Sequence, residues 1–369
     1  MDSELDKVVK VLRNFCILGD FRNAVRIKTG HINSTWCVAM YQAGVTVRYI
    51  LQGINTLVFK SPENVMDNVL RVTNCIRSKL QSKGLRDVSR RVLTVIPTSD
   101  GKSYFCDGDG GCWRMFLFIE DAVTRESITS PSDARRLGQA FANFQSQLAH
   151  MPGSPLHETI PNFHDTPYRF RYEFEPAISA DSHGRVSEVK KEIAFIRARS
   201  CEMGIVMSGL RRSDIPIRVT HNDTKLNNVM FDAQTGEALC VVDLDTVMPG
   251  SALFDFGDMV RTATCKAPED ELRLDSVEMQ MLFFKELVRG YYEGAKVFLT
   301  KVEKELLARS GKLITLELAM RFLTDYLQGD HYFSVHRPGH NLDRCRAQIK
   351  LVESMERHEH QMIRFVRSL

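Results

Sequence analysis

Residues 217–258 read IRVTHNDTKLNNVMFDAQTGEALCVVDLDTVMPGSALFDFGD, and their order of apolar and polar runs decides the reading of the chain. A short β-type run, 217–220, feeds directly into a polar loop, His221 to Asn228. Residues 229–232 form a second strand, 233–237 a turn, and 238–242 a strongly apolar strand that ends on Asp243-Leu244-Asp245. Polar side chains therefore gather at strand ends, where a rigid scaffold can present them. The loop delivers His221, Asp223, Lys225 and Asn228, and the last strand adds two carboxylates. Hard oxygen donors of this kind suit Mg²⁺, which keeps waters, shares ligands with substrate phosphates and needs only one or two protein carboxylates plus an amide oxygen. That pattern points to phosphoryl transfer. Taken singly, each Asp or Asn is equally what a turn or a helix cap would use. Their joint spacing carries the reading.

Upstream, Leu5, Val8, Leu12 and Phe15 repeat at helical spacing in 3–17, and Ser3 is placed as an N-cap. The segment 25–52 changes to β-favouring runs separated by the turn-like YQAGV, which predicts a hairpin and a further strand element. Ser61 and Pro62 open a second helix with Val65, Val69, Val72 and Ile76 on one face. Two strands, VLTVIPT (92–98) and GCWRMFLFIE (111–120), follow across a Gly- and Asp-rich turn. From about 121 the pattern becomes helical: Leu137, Phe141, Phe144 and Leu148 form one stripe, and 186–200 another helix. Leu316, Met320, Leu323 and Leu327 form a third stripe before Gly329, and 344–365 is a closing helix rich in both charge signs. His358 and His360, two apart, do not share a helical face, so no metal site is expected there. The expectation is an α+β fold of two lobes, 1–120 carrying a small antiparallel sheet with a helix and 121–369 larger and mainly helical.

Composition narrows the partners. The 369 residues hold 43% hydrophobic and 26% charged side chains, the profile of a globular chain too long for one compact core. A net charge of +3 from 49 basic and 46 acidic residues creates no field that would favour nucleic acid or a membrane surface. The expected partners are small molecules, and a monomer is favoured. The N-terminus carries acids where a signal peptide has bases, and no apolar run spans a bilayer, which predicts a cytoplasmic protein. Nine cysteines without a C-x-x-C pair, the nearest two being Cys106 and Cys112, signal neither a zinc site nor a disulfide framework.

The loop HNDTKLNN fits the H-x-D-x-x-x-x-N pattern of the kinase-like phosphotransferases, the superfamily of aminoglycoside and choline kinases, and VVDLD fits their metal-binding strand end. Gly250 followed by Asp255 resembles the superfamily's downstream pattern, whose Asp supports that loop. In the same order along nearly the whole chain, GHINSTW (30–36), RYILQ (48–52), WRMFLFIE (113–120), VTHNDTKLNN (219–228), DLDTVMPGS (243–251), LFDFGD (253–258) and MRFLTDYLQGDHYF (320–333) resemble the bacterial N-acetylhexosamine 1-kinases.

This resemblance implies a protein-kinase-like fold that uses ATP and Mg²⁺ to phosphorylate the anomeric hydroxyl of GlcNAc or GalNAc. It implies Asp223 as catalytic base, also touching the sugar, with Asn228 and Asp243 as metal ligands. Nucleotide contacts would come from Gly30, His31, Ile32, Asn33, Gln52, Phe118 and Ile119, and further sugar contacts from Lys225, Thr246, Arg321 and Tyr332. His221 is expected to brace the loop, and Asp245 to support the metal strand or touch the metal from outside. Arg321 is equally placed for a helix-surface ion pair with Asp325, and Tyr332 for half-buried packing. One departure stands out: the superfamily usually has a phosphate-gripping Lys where this chain has Gln52. Arg48, four residues earlier on the same strand face, is the candidate substitute. The alternative acceptor is an amino alcohol such as choline, homoserine or an aminoglycoside, which would want an acidic or aromatic pocket rather than one offering Lys225 and Arg321. A nucleotide-binding pseudokinase is a further alternative, disfavoured because Asp223, Asn228 and Asp243 are all present.

Overall fold

The computed structural model describes residues 2–27 and 33–369. The expected nucleotide contacts Gly30, His31 and Ile32 lie outside the described residues. The chain begins with α1 (Asp2–Leu12), β1 (Asp20–Ile27), β2 (Ser34–Gln42), β3 (Val45–Ile54) and α2 (Pro62–Ser82). Next come a one-turn α3 (Val88–Arg91), β4 (Val95–Ile96), β5 (Phe105–Cys106), β6 (Cys112–Leu117) and β7 (Ala122–Val123). Helices dominate the middle: α4 (Pro131–Leu148), α5 (Thr166–Arg169), a π-helical turn at Phe170–Phe174, α6 (Glu175–Ala180), α7 (Lys190–Ala198) and α8 (Ile205–Arg211). Short strands follow, β8 (Arg218–Thr220), β9 (Val229–Asp232), β10 (Ala238–Val241) and β11 (Met248–Gly250). Four helices close the chain: α9 (Ala252–Ala263), α10 (Met281–Ala295), α11 (Lys301–Leu327) and α12 (His340–Arg367).

The fold is α+β, with an antiparallel sheet in the N-terminal region and helices in the C-terminal region. Two compact units form: Met1–Val123 with His150–Ile160 and Phe231–Met248, and Thr124–Ala149 with Pro161–Met230 and Pro249–Leu369. In the first, the sheet order is β1-β2-β3-β6-β4, with β5 also on β6. The hairpin expected over 25–52 is a three-strand meander that starts at Asp20. Its first strand is a sheet edge with mostly exposed or half-exposed residues, so it shows no clear apolar alternation to announce it. The sheet buries Trp36, Val38, Met40, Leu51 and Met115 in one core with Val8, Val11, Leu12 and Phe15 of α1 and the residues after it. Ser61 caps α2 as its sequence predicts, accepting from the Asn64 amide at 3.4 Å, and the predicted stripe Val65, Val69, Val72 and Ile76 is buried.

One expectation is corrected here: Cys106 and Cys112 are disulfide-bonded. They face each other across the β5–β6 register with Cα atoms 4.1 Å apart, and a separation of six residues does not announce the hairpin that brings them together.

In the second unit α4 and α10 pack closely because both carry glycine at the crossing. A Cβ at Gly290 would lie 2.1 Å from the Arg135 carbonyl oxygen, and one at Gly138 2.5 Å from that of Leu287. Ser130 and Asp133 form the capping box that starts α4, and its predicted stripe Leu137, Phe141, Phe144 and Leu148 is buried. The stripe on α11 is buried too, yet so is every residue from Leu313 to Leu327, because α9 and α12 both pack against this helix. Among the described residues no helix is long and apolar enough to cross a membrane.

Candidate active site

The loop after β8 is short, polar and held by buried carboxylates. Asp255, fully buried in the first turn of α9, accepts the amides of His221 (2.9 Å) and Asn222 (2.7 Å), and Gln145 donates to it at 2.6 Å. Burial pushes this carboxyl up, and the hydrogen bonds and His221 offset part of that cost. Asp258 takes the Thr224 amide at 2.8 Å. Asn222 can therefore hold a left-handed φ of +66° and turn Asp223 out of the backbone run. Gly250 is needed beside it, since a Cβ there would sit 2.4 Å from Thr220 Oγ1. The His221 ring lies edge-on to Phe141 and Phe144 and its Nδ1 accepts the Asp223 amide at 3.3 Å.

Three predicted residues meet in this loop. Lys225 Nζ lies 3.0 Å from Asp223 Oδ1, and Asn228 Nδ2 donates to the Asp223 carbonyl (2.8 Å) and to Oδ2 (3.0 Å). Burial acts to raise the Asp223 carboxyl, but Lys225, His221 and the Asn228 hydrogen bond outweigh it and hold the group below the usual carboxylate range. Asp223 is thus an anion at neutral pH. Its side chain keeps 26% exposure, enough to meet a ligand. Asp223 raises Lys225 in turn.

A second group forms on α11 and the segments beside it. Arg321 is buried, with its guanidinium carbon 5.1 Å from the Phe163 ring, 5.6 Å from Tyr332 and 5.5 Å from Phe333. Its Nη2 reaches the Tyr332 hydroxyl at 3.4 Å. The surface pair with Asp325 does not form: Asp325 accepts the amides of His331, Tyr332 and Phe333 at 2.8–2.9 Å and so folds the loop that carries Tyr332. Arg321 instead faces Glu317 at 3.9 Å. Burial and the neighbouring Arg169 both lower the Arg321 guanidinium from its ordinary value, against the opposing pull of Tyr332 and Glu317.

In the first unit Gln52 on β3 donates to Thr35 Oγ1 at 3.1 Å and accepts from Arg114 Nε at 3.1 Å, the two being cross-strand partners. Arg114, only 2% exposed, ion-pairs through Nη1 with the buried Asp245. Asn33 Nδ2 donates to the other Asp245 oxygen at 2.7 Å. Asp243, two residues earlier, is exposed in a left-handed conformation, φ +58°. Arg48 is engaged elsewhere: it pairs with Glu120 and lies over the Phe118 ring at 4.0 Å. The cation beside Gln52 is Arg114. Ile119 and Thr246 are buried.

Residues 92–283, just over half of the chain, match the model of the phosphotransferase enzyme family. The chain belongs to that family. Solved structures with the same fold include a microcompartment-associated aminopropanol kinase, 16% identical over 97% of this chain and 98% of its own, TM-score 0.63. A spectinomycin phosphotransferase in complex with ADP and spectinomycin is 13% identical over 95% and 98%, TM-score 0.57. A choline kinase from Cryptosporidium parvum is 13% identical over 98% of both chains, TM-score 0.56.

Two features of this phosphotransferase escape a reading of its sequence. Arg114 pairs with a residue 131 positions away, and only the β3–β6 register brings it to Gln52. Glu317, inside an apolar helix, accepts from Thr166 Oγ1 at 2.6 Å and lies 2.8 Å from His164 Nδ1, 153 residues upstream. The one available signal was a charged residue in an otherwise apolar stripe.

Burial acts to raise the Glu317 carboxyl, but His164, Arg169 and Arg321 bring it from its ordinary 4.5 down to about 2. A depressed folded-state value means the stabilisation is fully present above about pH 4.5 and is lost as pH falls toward about 2. Urea midpoints of the wild type and Glu317→Gln are therefore expected to differ by a constant gap near neutrality that closes across that window. A gap unchanged down to pH 2 would contradict the charge assignment.

Proposed function

We propose that this phosphotransferase transfers the γ-phosphoryl group of ATP to the anomeric hydroxyl of an N-acetylhexosamine, GlcNAc or GalNAc, releasing the 1-phosphate and ADP. One observation carries the choice of acceptor: a buried guanidinium, Arg321, walled by Phe163, Tyr332 and Phe333. Such a site offers donors and an aromatic face to a neutral, oxygen-rich ring, and the guanidinium charge, not the rings, is what disfavours an ammonium. The spectinomycin phosphotransferase of the same fold was solved with ADP, which supports a nucleoside triphosphate as donor.

Asp223 would orient the anomeric hydroxyl and take its proton late in the transfer, and Lys225 beside it would hold the carboxylate as an anion. Asn228 fits a Mg²⁺ site because its amide nitrogen is committed to Asp223, so the oxygen is the atom it would offer a cation. Asp243, exposed while its neighbour Asp245 is buried, is the second ligand proposed. When bound, the ion would neutralise phosphate charge. Asn33, Gln52, Phe118 and Ile119, with Gly30, His31 and Ile32, are proposed to line the nucleotide, and Lys225, Thr246, Arg321 and Tyr332 the sugar. A monomeric, cytoplasmic enzyme of small molecules completes the proposal.

The second reading, an amino-alcohol acceptor, has support in the named substrates of the aminopropanol and choline kinases. A Mg·ATP turnover panel of GlcNAc, GalNAc, glucose, galactose, choline, aminopropanol and homoserine separates the two. Turnover of the N-acetylhexosamines above the amines is expected. Amines turned over while the hexosamines are inert would replace this reading by the second.

A further inference from the structure

His164 is buried and its ring sits between two acceptors. Nδ1 lies 2.8 Å from Glu317 Oε1, and Nε2 lies 3.2 Å from the backbone carbonyl oxygen of Asn222. A carbonyl has only lone pairs to offer, so Nε2 must donate to it. Thr166 donates to Glu317 at Oε2 and Arg321 faces Oε1 at 3.9 Å, so a donor and a cation stand against the carboxylate before His164 is counted, and an ionised carboxylate only accepts. Nδ1 must then donate as well. A neutral ring of either tautomer would press a bare lone pair against an oxygen. The Phe163 and Phe254 rings at 4.6 and 5.1 Å close the surroundings.

We propose that His164 is a positioning residue: an imidazolium that donates from both ring nitrogens and so ties Glu317, and through it Arg321, to the carbonyl of Asn222 immediately before Asp223. The consequence follows from the loop's own geometry. Asp255 and Asp258 hold the loop by the amides of His221, Asn222 and Thr224, and the Asn222–Asp223 peptide that follows the left-handed Asn222 has its own N–H on His221 Nδ1 at 3.3 Å. The His164 bond fixes the carbonyl side of that peptide and with it the direction in which Asp223 leaves the chain. The same side chain links Glu317, which faces Arg321 at 3.9 Å, to the loop, so a ligand seated against Arg321 and the carboxylate of Asp223 share one connection.

This inference rests on Asp223 being the base, and its test is arranged so that the two fail separately. In protein carrying ¹⁵N-labelled histidine, the wild-type His164 ring is expected to show two protonated nitrogens without any substrate present. One bare nitrogen overturns the bridge whatever the acceptor proves to be. In turnover on the best acceptor of the panel, His164→Leu is expected to lower kcat by roughly 10²-fold, the scale of a small misplacement of a reacting group, with the KM for ATP within about twofold. Wild-type kcat in a folded His164→Leu protein overturns the proposal. Where that variant melts early because Glu317 is left as an orphan charge, His164→Leu with Glu317→Gln removes the charge. Restored melting with kcat still low supports positioning, and restored melting with restored kcat reduces His164 to a packing role and overturns it. A wild-type enzyme inert on the whole panel counts against the proposed function and leaves the ring measurement standing.

Discussion

Asp223→Asn is expected to lower kcat by about 10²–10⁴-fold, the range a positioned general base supplies, with little change in melting temperature. The carboxamide keeps the shape of the carboxylate and leaves the loop's supports untouched, because those supports are backbone bonds to Asp255 and Asp258 and the His221 contact. The side chain itself is partly exposed and, among the described residues, bonded to Lys225 and Asn228, so its replacement costs little packing. What disappears is the acceptor for the hydroxyl proton and the anion that Lys225 and His221 hold ready at neutral pH. Measured by ADP release on the best acceptor beside a thermal melt, the variant should be folded and nearly inactive. Turnover within about tenfold of wild type, below the usual worth of a general base, would remove Asp223 from that role.

The same loop shows which features a sequence can reveal. The polar loop, the two strands after it, the capped helix Pro62–Ser82 and the apolar stripe of Pro131–Leu148 were legible because each rests on neighbours a few residues apart: Ser61 to Asn64, apolar side chains at three- and four-residue spacing. Asp223, Lys225 and Asn228 meet for the same reason, lying within one turn of loop. Arg114–Asp245, His164–Glu317 and Cys106–Cys112 were not legible. The first two depend on contacts between residues 131 and 153 positions apart, and the third on a hairpin register that a spacing of six does not announce. Sharing a strand face put Arg48 in view as the cation near Gln52, whereas the residue the partner strand sets beside Gln52 is Arg114 and Arg48 pairs with Glu120.

That replacement cation leads to the second large effect. Arg114→Met is expected to destabilise the fold by about 3–5 kcal/mol, the cost of leaving one member of a buried ion pair without its partner. The pair is almost completely excluded from solvent on both sides, and Asp245 would keep only the Asn33 amide at 2.7 Å to answer its charge. The surroundings otherwise accept an apolar side chain, since Met66 Sδ and the Phe116 ring already flank the guanidinium. Arg114→Met combined with Asp245→Leu should therefore recover most of the loss, because a buried ion pair exchanged whole for apolar groups is often neutral. Arg48→Ala is the control: its partner Glu120 is half exposed, and breaking that pair should cost at most about 1 kcal/mol. Urea unfolding of the four proteins decides the matter. If the single Arg114 variant loses no more than the Arg48 variant, the pair is not the tie between β6 and the Asp243–Asp245 turn. If it loses several kcal/mol and the double variant regains them, the buried charge at Asp245 is what Arg114 is there to answer, and the turn that presents Asp243 is anchored through it to the sheet.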